Sequence, residues 1–217
     1  MQPIKIATAQ FENKSGDKAY NLSVIRRLAQ EAAASGAQVI SFHECCITGY
    51  TFARHLSKDD LLDQCEQIPG GKSIKELQQI SSENNIVMLA GLFEKDENNH
   101  IYKAYVCVNK DGLVAKFRKL HPFINPHILP GTDYVTFNLF GWTCSILVCY
   151  DNNIIENVRA VTLLGADIVF MPHVTMCTPS PAPGRGFVDP QLWYNREKDP
   201  TSLRQEFDGP KGRSWLM

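Results

Sequence analysis

The sequence predicts an α/β fold with a mixed sheet, because helical and strand-like patterns alternate along its 217 residues. Residues 4–11 and 38–44 have the composition of strands, and the helix between them, residues 21–34, carries one apolar face and stops at Gly36. Such a strand–helix–strand unit is typical of parallel pairing. Between two further apolar runs, the turn NKDG at residues 109–112 predicts a β-hairpin, and hence antiparallel pairing in the same chain.

The remaining elements are predicted in chain order from the same patterns. Ser73 and Glu76 match the S-x-x-E capping box, which predicts the start of a helix with an apolar stripe. A short helix over residues 155–164 is predicted to stop at Gly165. The predicted further strands are residues 86–93, 102–109, 113–118, 135–139, 143–148 and 167–171. No internal repeat divides the chain, and the sequence predicts one domain over residues 1–217.

Composition excludes some classes of partner. With 22 basic and 23 acidic residues the net charge is −1, which gives no electrostatic basis for binding nucleic acid or an anionic membrane. No apolar stretch is long enough to span a bilayer, and the N-terminal MQPIKIATAQF lacks the pattern of a signal peptide. These observations predict a cytoplasmic protein that binds neither nucleic acid nor membrane.

The seven cysteines indicate reduced thiols rather than disulfides, because their number is odd and no export signal is present. A zinc site needs clustered ligands. Cys45 and Cys46 are adjacent and would point to opposite faces of a strand, and Cys144 and Cys149 are five residues apart. The spacing therefore argues against a structural metal site, and a zinc-dependent hydrolase stays a distant alternative that bound metal would reveal.

Three chemically coherent residues stand where predicted strands end: Glu44, Lys119 and Cys149. A carboxylate can take the proton of a thiol, the thiolate can attack a carbonyl or nitrile carbon, and an ammonium can stabilise the resulting oxyanion. A cysteine near a helix N-terminus and a lysine also has its thiolate favoured. Spacing alone leaves a plainer interpretation open, in which the thiol is a small buried hydrophobe and the charges are solvated.

The segments around these residues carry a resemblance to a known family. HECCITGY is similar to the pattern PE-x-x-x-TGY, with His43 in place of the usual proline. FRKLHPF is similar to RK-x-H, and VCYDNNIIENVRA is similar to CYD-x-x-F-P-E-x-x-R, with Ile154 and Ile155 in place of Phe-Pro. Three such segments in this order resemble the nitrilase (carbon–nitrogen hydrolase) superfamily, amidase-type members in particular. The matching residues are Glu44, Thr48, Gly49, Tyr50, Arg118, Lys119, His121, Cys149, Tyr150, Asp151, Glu156 and Arg159.

The resemblance implies a four-layer αββα sandwich and a catalytic triad. Cys149 would be the nucleophile, Glu44 the general base, and Lys119 the group that stabilises the tetrahedral intermediate, helped by the backbone N–H of Tyr150. The implied reaction is hydrolysis of a nonpeptide C–N bond through a cysteine thioester, with release of ammonia or an amine. The resemblance implies no metal or organic cofactor, and it implies a homodimer or higher homo-oligomer formed through helices.

Further residues are predicted around this triad. Many members of the superfamily carry a second glutamate after the lysine motif, but the corresponding stretch here, INPHILPG, has no carboxylate. Its polar residues are either neutral hydrogen-bonding substitutes or surface-loop residues. The candidates for substrate binding are Tyr150, Asn125, His127, His173 and Thr175. The candidates for structural support are His121, Asp151, Glu156 and Arg159, the last three as an ion-pair network behind the cysteine.

The residue after the cysteine bears on the substrate. True nitrilases often have tryptophan there, so Tyr150 favours an amide or carbamoyl substrate over a nitrile. Nitrile hydrolysis stays an alternative, and so does a noncatalytic member of the family that serves as a binding or assembly module. The missing second carboxylate favours the noncatalytic alternative, whereas the intact triad opposes it.

The region from residue 177 to residue 217 has a different character. TPSPAPGRGFVDP is rich in proline and glycine and predicts a long surface loop or lid, followed by a polar helix over residues 200–207. The chain ends at GRSWLM, where superfamily members continue with another helix and further strands. We therefore expect the usual C-terminal part of the fold to be lacking.

Overall fold

The computed structural model of the protein describes residues 2–174, 190–195 and 197–202. The chain divides into two compact units, Met1–Val174 and Thr175–Met217. In the second unit the described elements are the short helix α5 (Pro190–Tyr194) and a helical start at residues 200–202. The rest of the predicted 200–207 helix and the predicted loop over residues 177–189 lie outside the described residues. Among the helices described, none combines the length and apolarity that crossing a membrane requires.

Five strands of the first unit form one mixed sheet in sequential order, β1-β2-β3-β4-β5. They are β1 (Ile6–Ala9), β2 (Val39–Phe42), β3 (Val87–Lys95), β4 (Ile101–Asn109) and β5 (Gly112–Arg118). The first three pair in parallel, and β3, β4 and β5 pair antiparallel. The predicted hairpin is confirmed, and Asn109 closes its turn by accepting the N–H groups of Asp111 and Gly112 at 2.8 and 3.1 Å.

A second, smaller sheet has the order β6-β7-β8. Its strands are β6 (Thr136–Leu139), β7 (Trp142–Ile146) and β8 (Ile168–Phe170). The first two pair antiparallel, and β7 pairs in parallel with β8 through a crossover that contains helix α4 (Ile155–Leu163). The element boundaries agree with the predicted ones within a few residues, which is the usual uncertainty of helix and strand ends.

Three helices lie between the first three strands of the first sheet in chain order. Helix α1 (Lys18–Ala34) connects β1 to β2, and α2 (Lys58–Gln64) and α3 (Lys72–Asn84) lie between β2 and β3. Helix α1 begins three residues earlier than predicted, because the side chain of Asp17 accepts the N–H of Tyr20 at 2.9 Å and caps it. Helix α2 was not predicted. Ser57 caps it, and Leu61 is its one buried residue, so it lacks the apolar stripe that a sequence pattern would reveal.

The capping box predicted at Ser73 and Glu76 is wrong. Helix α3 begins after Gly71, which places Ser73 inside the first turn. The cap comes from outside the helix, since Glu66 accepts the N–H and the hydroxyl of Ser73 at 2.8 and 2.7 Å. Glu76 instead pairs with Arg26 of α1 at 2.6 Å. A more distant carboxylate has therefore replaced the local one at a backbone N–H that has no partner within the helix.

Two apolar clusters define the layers of the first unit. One cluster lies between the helices α1 and α3 and one face of the five-stranded sheet, and includes Ile25, Leu77 and Val106. The other lies between the two sheets and reaches α4, and includes Tyr105, Ile146 and Val161. The order is therefore helices, sheet, sheet, helix. This is the predicted four-layer αββα arrangement.

Candidate active site

Glu44 and Lys119 lie together because their strands run in the same direction. Glu44 comes two residues after β2, and Lys119 comes directly after β5. The pairing makes β2 and β5 point the same way within one sheet, so their carboxyl ends lie at the same edge. Both side chains are about 1% exposed, and Nζ of Lys119 lies 2.8 Å from Oε1 of Glu44. The sequence-predicted base and ammonium thus form a buried ion pair.

Cys149 joins this pair from the second sheet. It is the first residue of a 3₁₀ helix, Cys149–Asn153, which follows β7. Its φ of +55° is left-handed, a conformation that is uncommon for a residue other than glycine and that is often found where a side chain is held for function. Its N–H donates to the carbonyl of Pro172 at 2.9 Å, and its side chain is half-buried.

The surroundings raise the pKa of Cys149 and lower the pKa of Glu44. Burial raises the pKa of the Cys149 thiol, and the negative charge of Glu44 raises it further, while Lys119 opposes them. For Glu44, burial opposes ionisation, but Lys103 and Lys119 together lower the pKa of the carboxyl below its ordinary value. The resting site therefore holds a neutral thiol beside a carboxylate, with the second oxygen of Glu44 accepting the N–H of Val174 at 3.3 Å.

Lys103 is a member of this cluster that sequence reasoning missed. It lies on β4, is 2% exposed and forms an ion pair with the same oxygen of Glu44 that contacts Lys119. Its ammonium also lies 3.8 Å from the ring centroid of Tyr50. A signal was available in the sequence. Lys103 lies two residues before Tyr105, so the two side chains share one face of an apolar strand, where a buried lysine requires a partner.

Two glycines hold the carboxyl ends of the strands close to their neighbours. A Cβ at Gly91 of β3 would lie 2.6 Å from the backbone nitrogen of Cys45, the residue after Glu44. A Cβ at Gly131 would lie 2.2 Å from the carbonyl oxygen of Arg118, and the N–H of Gly131 donates to the carbonyl of Lys119 at 2.8 Å. The absence of a side chain at both glycines allows the close backbone contact that fixes Glu44 and Lys119.

Asp151 connects the segment of Lys119 to that of Cys149. Its fully buried carboxylate accepts the N–H groups of Leu120, His121 and Val148 at 3.2, 2.8 and 3.3 Å. Nδ1 of His121 lies 3.1 Å from the same carboxylate. One buried side chain therefore spans the loop after β5 and the residue before the cysteine.

The predicted ion-pair network of Asp151, Glu156 and Arg159 is wrong. Asp151 is satisfied by backbone N–H groups and His121, whereas Glu156 and Arg159 are exposed on α4. Within the described part of the chain, no ion pair joins either of them to Asp151. The polar residue of α4 that supports this region is Asn157, whose amide donates to the carbonyl of Asp151 at 2.8 Å.

The residues predicted to bind substrate surround the triad unevenly. The buried amide of Asn125 donates to the carbonyls of Ala53 and Leu56 at 2.8 and 3.0 Å, so it ties down the loop after the 3₁₀ helix Thr51–His55. His127 is exposed. Its N–H donates to the side-chain oxygen of Asn125 at 2.9 Å. The substrate-binding roles of both residues stay predictions.

The other substrate-binding candidates lie on the side of Cys149. Tyr150 is 48% exposed, and its ring makes edge contacts with the rings of His121 and Phe123, each at 6.3 Å between centroids. Half-buried His173 follows β8, and its Nε2 lies 2.6 Å from the side-chain nitrogen of Asn152. Thr175 lies outside the described residues. In the part of the chain described, no three His, Cys, Asp or Glu side chains are grouped to hold a metal ion.

Comparison with known proteins gives a consistent result. The family model described as carbon-nitrogen hydrolase matches residues 5–193. A nitrilase of Pyrococcus abyssi is 27% identical over 172 residues, which are 78% of this chain and 64% of that protein. An (R)-stereoselective amidase of Pseudomonas sp. is 27% identical over 176 residues, 80% of this chain and 61% of that protein. This chain thus spans less than two thirds of the length of these relatives.

A solved structure shows the same fold. The amidase from Nesterenkonia sp. AN1, in a mutant form that shows the result of Michael addition of acrylamide at the active site cysteine, superposes with a TM-score of 0.66 at 22% identity. The match covers 78% of this chain and 66% of that one. The likeness confirms the predicted α/β fold class.

Proposed function

Because this chain belongs to the carbon–nitrogen hydrolase family, we propose that it hydrolyses a nonpeptide C–N bond in a small amide or carbamoyl compound. One observation carries the proposal: the buried Lys119–Glu44 pair, with 2.8 Å between Nζ and Oε1, lies beside the half-buried thiol of Cys149. Burying a charged pair costs desolvation free energy, so stability alone is a weak explanation for it. A thiol, a carboxylate and an ammonium are the groups that nucleophilic acyl transfer requires.

In the proposed acylation step, Glu44 takes the proton of Cys149 as sulfur bonds to the carbonyl carbon. Lys119 and the backbone N–H of Tyr150 stabilise the negative charge that develops on the carbonyl oxygen. Collapse of the tetrahedral intermediate breaks the C–N bond, and Glu44 returns its proton to the departing nitrogen. Ammonia or an amine leaves, and a thioester remains on Cys149.

In the proposed second step, water attacks the thioester and gives a proton to Glu44. Collapse then breaks the C–S bond, the carboxylic acid leaves, and the proton on Glu44 restores the thiol of Cys149. One residue thus acts as base and acid in turn, which requires it to lie within reach of both sulfur and substrate. The raised pKa of Cys149 and the lowered pKa of Glu44 support this assignment, because the proton must move only when the substrate is present.

The substrate class is proposed from the sequence and from relatives. Tyr150 after the nucleophile favours an amide or carbamoyl compound, and one matched relative is called an amidase. A nitrile is the second candidate, since another matched relative is called a nitrilase. We also propose that the protein is cytoplasmic and forms a homodimer. The competing hypothesis is a noncatalytic member of the family that serves as a binding or assembly module.

Thiol mapping combined with a substrate screen tests the proposal. Iodoacetamide is expected to label Cys149 before the other described cysteines, and small amides, carbamoyl compounds and nitriles are screened for ammonia release. Cys149→Ala is expected to lower turnover by at least about 10⁴-fold. Cys144→Ala, the same change at a buried thiol of β7, is expected to retain turnover. Equally slow labelling of all thiols, with no turnover of any compound, contradicts the proposal.

A further inference from the structure

Two lysines contact one oxygen of one carboxylate. Lys103 of β4 and Lys119, which follows β5, both form ion pairs with Oε1 of Glu44. The two lysines face each other across the strand pair, since the N–H of Lys119 donates to the carbonyl of Lys103 at 2.8 Å. The register of the antiparallel pair therefore places both ammonium groups on the same side of the sheet.

The ammonium of Lys103 also lies near two aromatic rings. Its Nζ lies 3.8 Å from the ring centroid of Tyr50 and 5.9 Å from that of Phe123. Aromatic faces attract a cation when water is excluded. Among the residues that the structure describes, Glu44 is the one carboxylate that pairs with either lysine.

The charges of this cluster do not balance. Lys119 alone would neutralise Glu44, so Lys103 leaves one buried positive charge in excess. Burying that charge is costly, and an apolar side chain of similar size fills such a position without the cost. Packing and neutralisation therefore do not explain a lysine at this place. An additional cation does have one specific effect on Glu44, which is to favour its ionised form.

We propose that Lys103 is a positioning residue for Glu44. Together with Lys119 it holds Oε1, so that the carboxylate stays ionised and its other oxygen stays on the N–H of Val174, beside Cys149. The proposal rests on the proposed function of Glu44 as the base that takes the thiol proton. Lys103 acts through Glu44, whereas Lys119 is the ammonium that contacts the reacting atoms.

The two histidines near Glu44 do not add positive charge at neutral pH, so Lys103 and Lys119 are the cations beside it. Burial lowers the pKa of His43 and that of His173, so both imidazoles are neutral there. Removing Lys103 therefore halves the positive charge that stabilises the carboxylate. The titratable and charged groups that face Glu44 are Lys103, Lys119, Cys149, His173, and, from its own loop, His43, Cys45 and Tyr50.

The test replaces Lys103 by a neutral side chain and follows two pH profiles. The rate of Cys149 alkylation by iodoacetamide is measured against pH in Lys103→Met and in the parent protein, together with kcat/KM for an amide that turns over. Because loss of a cation raises the pKa of Glu44, the acid-side midpoint of both profiles is expected to move up by about one pH unit or more. Lys103→Gln serves as a second neutral variant.

Lys116→Met is the matched control. Lys116 lies on the neighbouring strand β5 and pairs with a different carboxylate, Glu94, which also has Arg118 at 2.8 Å. This control is expected to leave both midpoints unchanged. Slower rates at every pH with an unmoved midpoint in the Lys103 variants overturn the proposal. So does failure of both neutral variants to fold, because Lys103 then serves stability alone.

The alkylation profile separates this proposal from the proposed hydrolysis, because labelling needs no turnover. A shifted alkylation midpoint without ammonia release from any compound supports the role of Lys103 and contradicts the hydrolysis. Turnover of an amide together with an unshifted alkylation midpoint supports the proposed hydrolysis and contradicts the role of Lys103.

Discussion

Asp151 is the residue whose contacts couple two parts of the candidate site. It is fully buried, and it accepts N–H groups from the loop that follows Lys119 and from Val148, the residue before Cys149. Backbone donors that lose such an acceptor inside a protein have no water to replace it. Asp151 therefore stabilises the fold and also helps to fix the position of the Lys119 ammonium relative to the Cys149 thiol.

Asp151→Ala is expected to lower the free energy of unfolding by about 3 kcal/mol, because several backbone N–H groups lose their acceptor together. Urea unfolding followed by circular dichroism measures this loss. Asp167→Ala is the control, since Asp167 is exposed and accepts one backbone N–H, that of Thr143 at 3.0 Å. Its cost is expected to stay below about 1 kcal/mol. Similar losses in the two variants contradict the structural role assigned to Asp151.

Glu44, Lys119 and Cys149 could be selected from the sequence because each stands at the end of a strand-like run inside a recognisable segment. Lys103 could not be selected in this way. It lies within a strand, and only the pairing of β4 with β5 brings it opposite Lys119. The partners of Asp151 were also beyond prediction, since they are backbone groups distant in sequence. Local patterns identify side chains, whereas their partners depend on register.

At the scale of elements, Glu66 links three of them. It accepts the N–H and hydroxyl of Ser73 in the first turn of α3, and it pairs with Lys18 of α1 at 2.9 Å. It also forms a β-bridge with Glu94 of β3. Negative charge near the first turn of a helix is stabilising, so Glu66 caps α3 while fixing it to its neighbours.

Glu66→Gln is expected to destabilise the protein by about 1–2 kcal/mol at neutral pH, since it removes charge-assisted hydrogen bonds. This loss of stability is expected to be largest at neutral pH and to become smaller as the pH falls. Burial opposes ionisation, but the hydrogen bonds from Ser73 and the charge of Lys18 lower the pKa of Glu66. Its contribution is therefore fully present above the unfolded value of about 4.3 and is lost as pH falls through the lower folded value.

Urea unfolding of the parent and Glu66→Gln proteins across this acidic range measures the effect. The difference between them is expected to shrink as the pH falls. Glu97→Gln makes the same change at an exposed position and is expected to cost little at any pH. A difference that stays constant down to the lowest pH contradicts the ionic role of Glu66.

The elements that could be predicted are those with a strong pattern. Helix α1 buries Ile25 and Ala29 on one face, and the turn of the hairpin β4–β5 is predicted by the motif NKDG at residues 109–112. Helix α2 escaped prediction because its seven residues bury one side chain, so neither periodicity nor length marks it. The capping box at Ser73 misled because a local sequence match does not reveal a competing carboxylate.

At the scale of the whole molecule, the four layers depend on the space between the two sheets. Cys107 of the first sheet and Cys144 of the second both lie in the cluster that fills it. Each is fully buried, and burial raises the pKa of both thiols, that of Cys144 to about 11. These two cysteines therefore report on whether the sheets separate.

Cys107 and Cys144 are expected to resist iodoacetamide in the native state by at least about 10³-fold relative to Cys149, because their labelling requires the core to open. As urea is raised, both are expected to become labelled over one transition that coincides with the loss of circular dichroism, since one apolar cluster joins the two sheets. Mass spectrometry of alkylated peptides gives both curves in one experiment. Labelling of Cys144 at a lower urea concentration than Cys107 means that the three-stranded sheet unfolds first, and this contradicts a single cooperative unit.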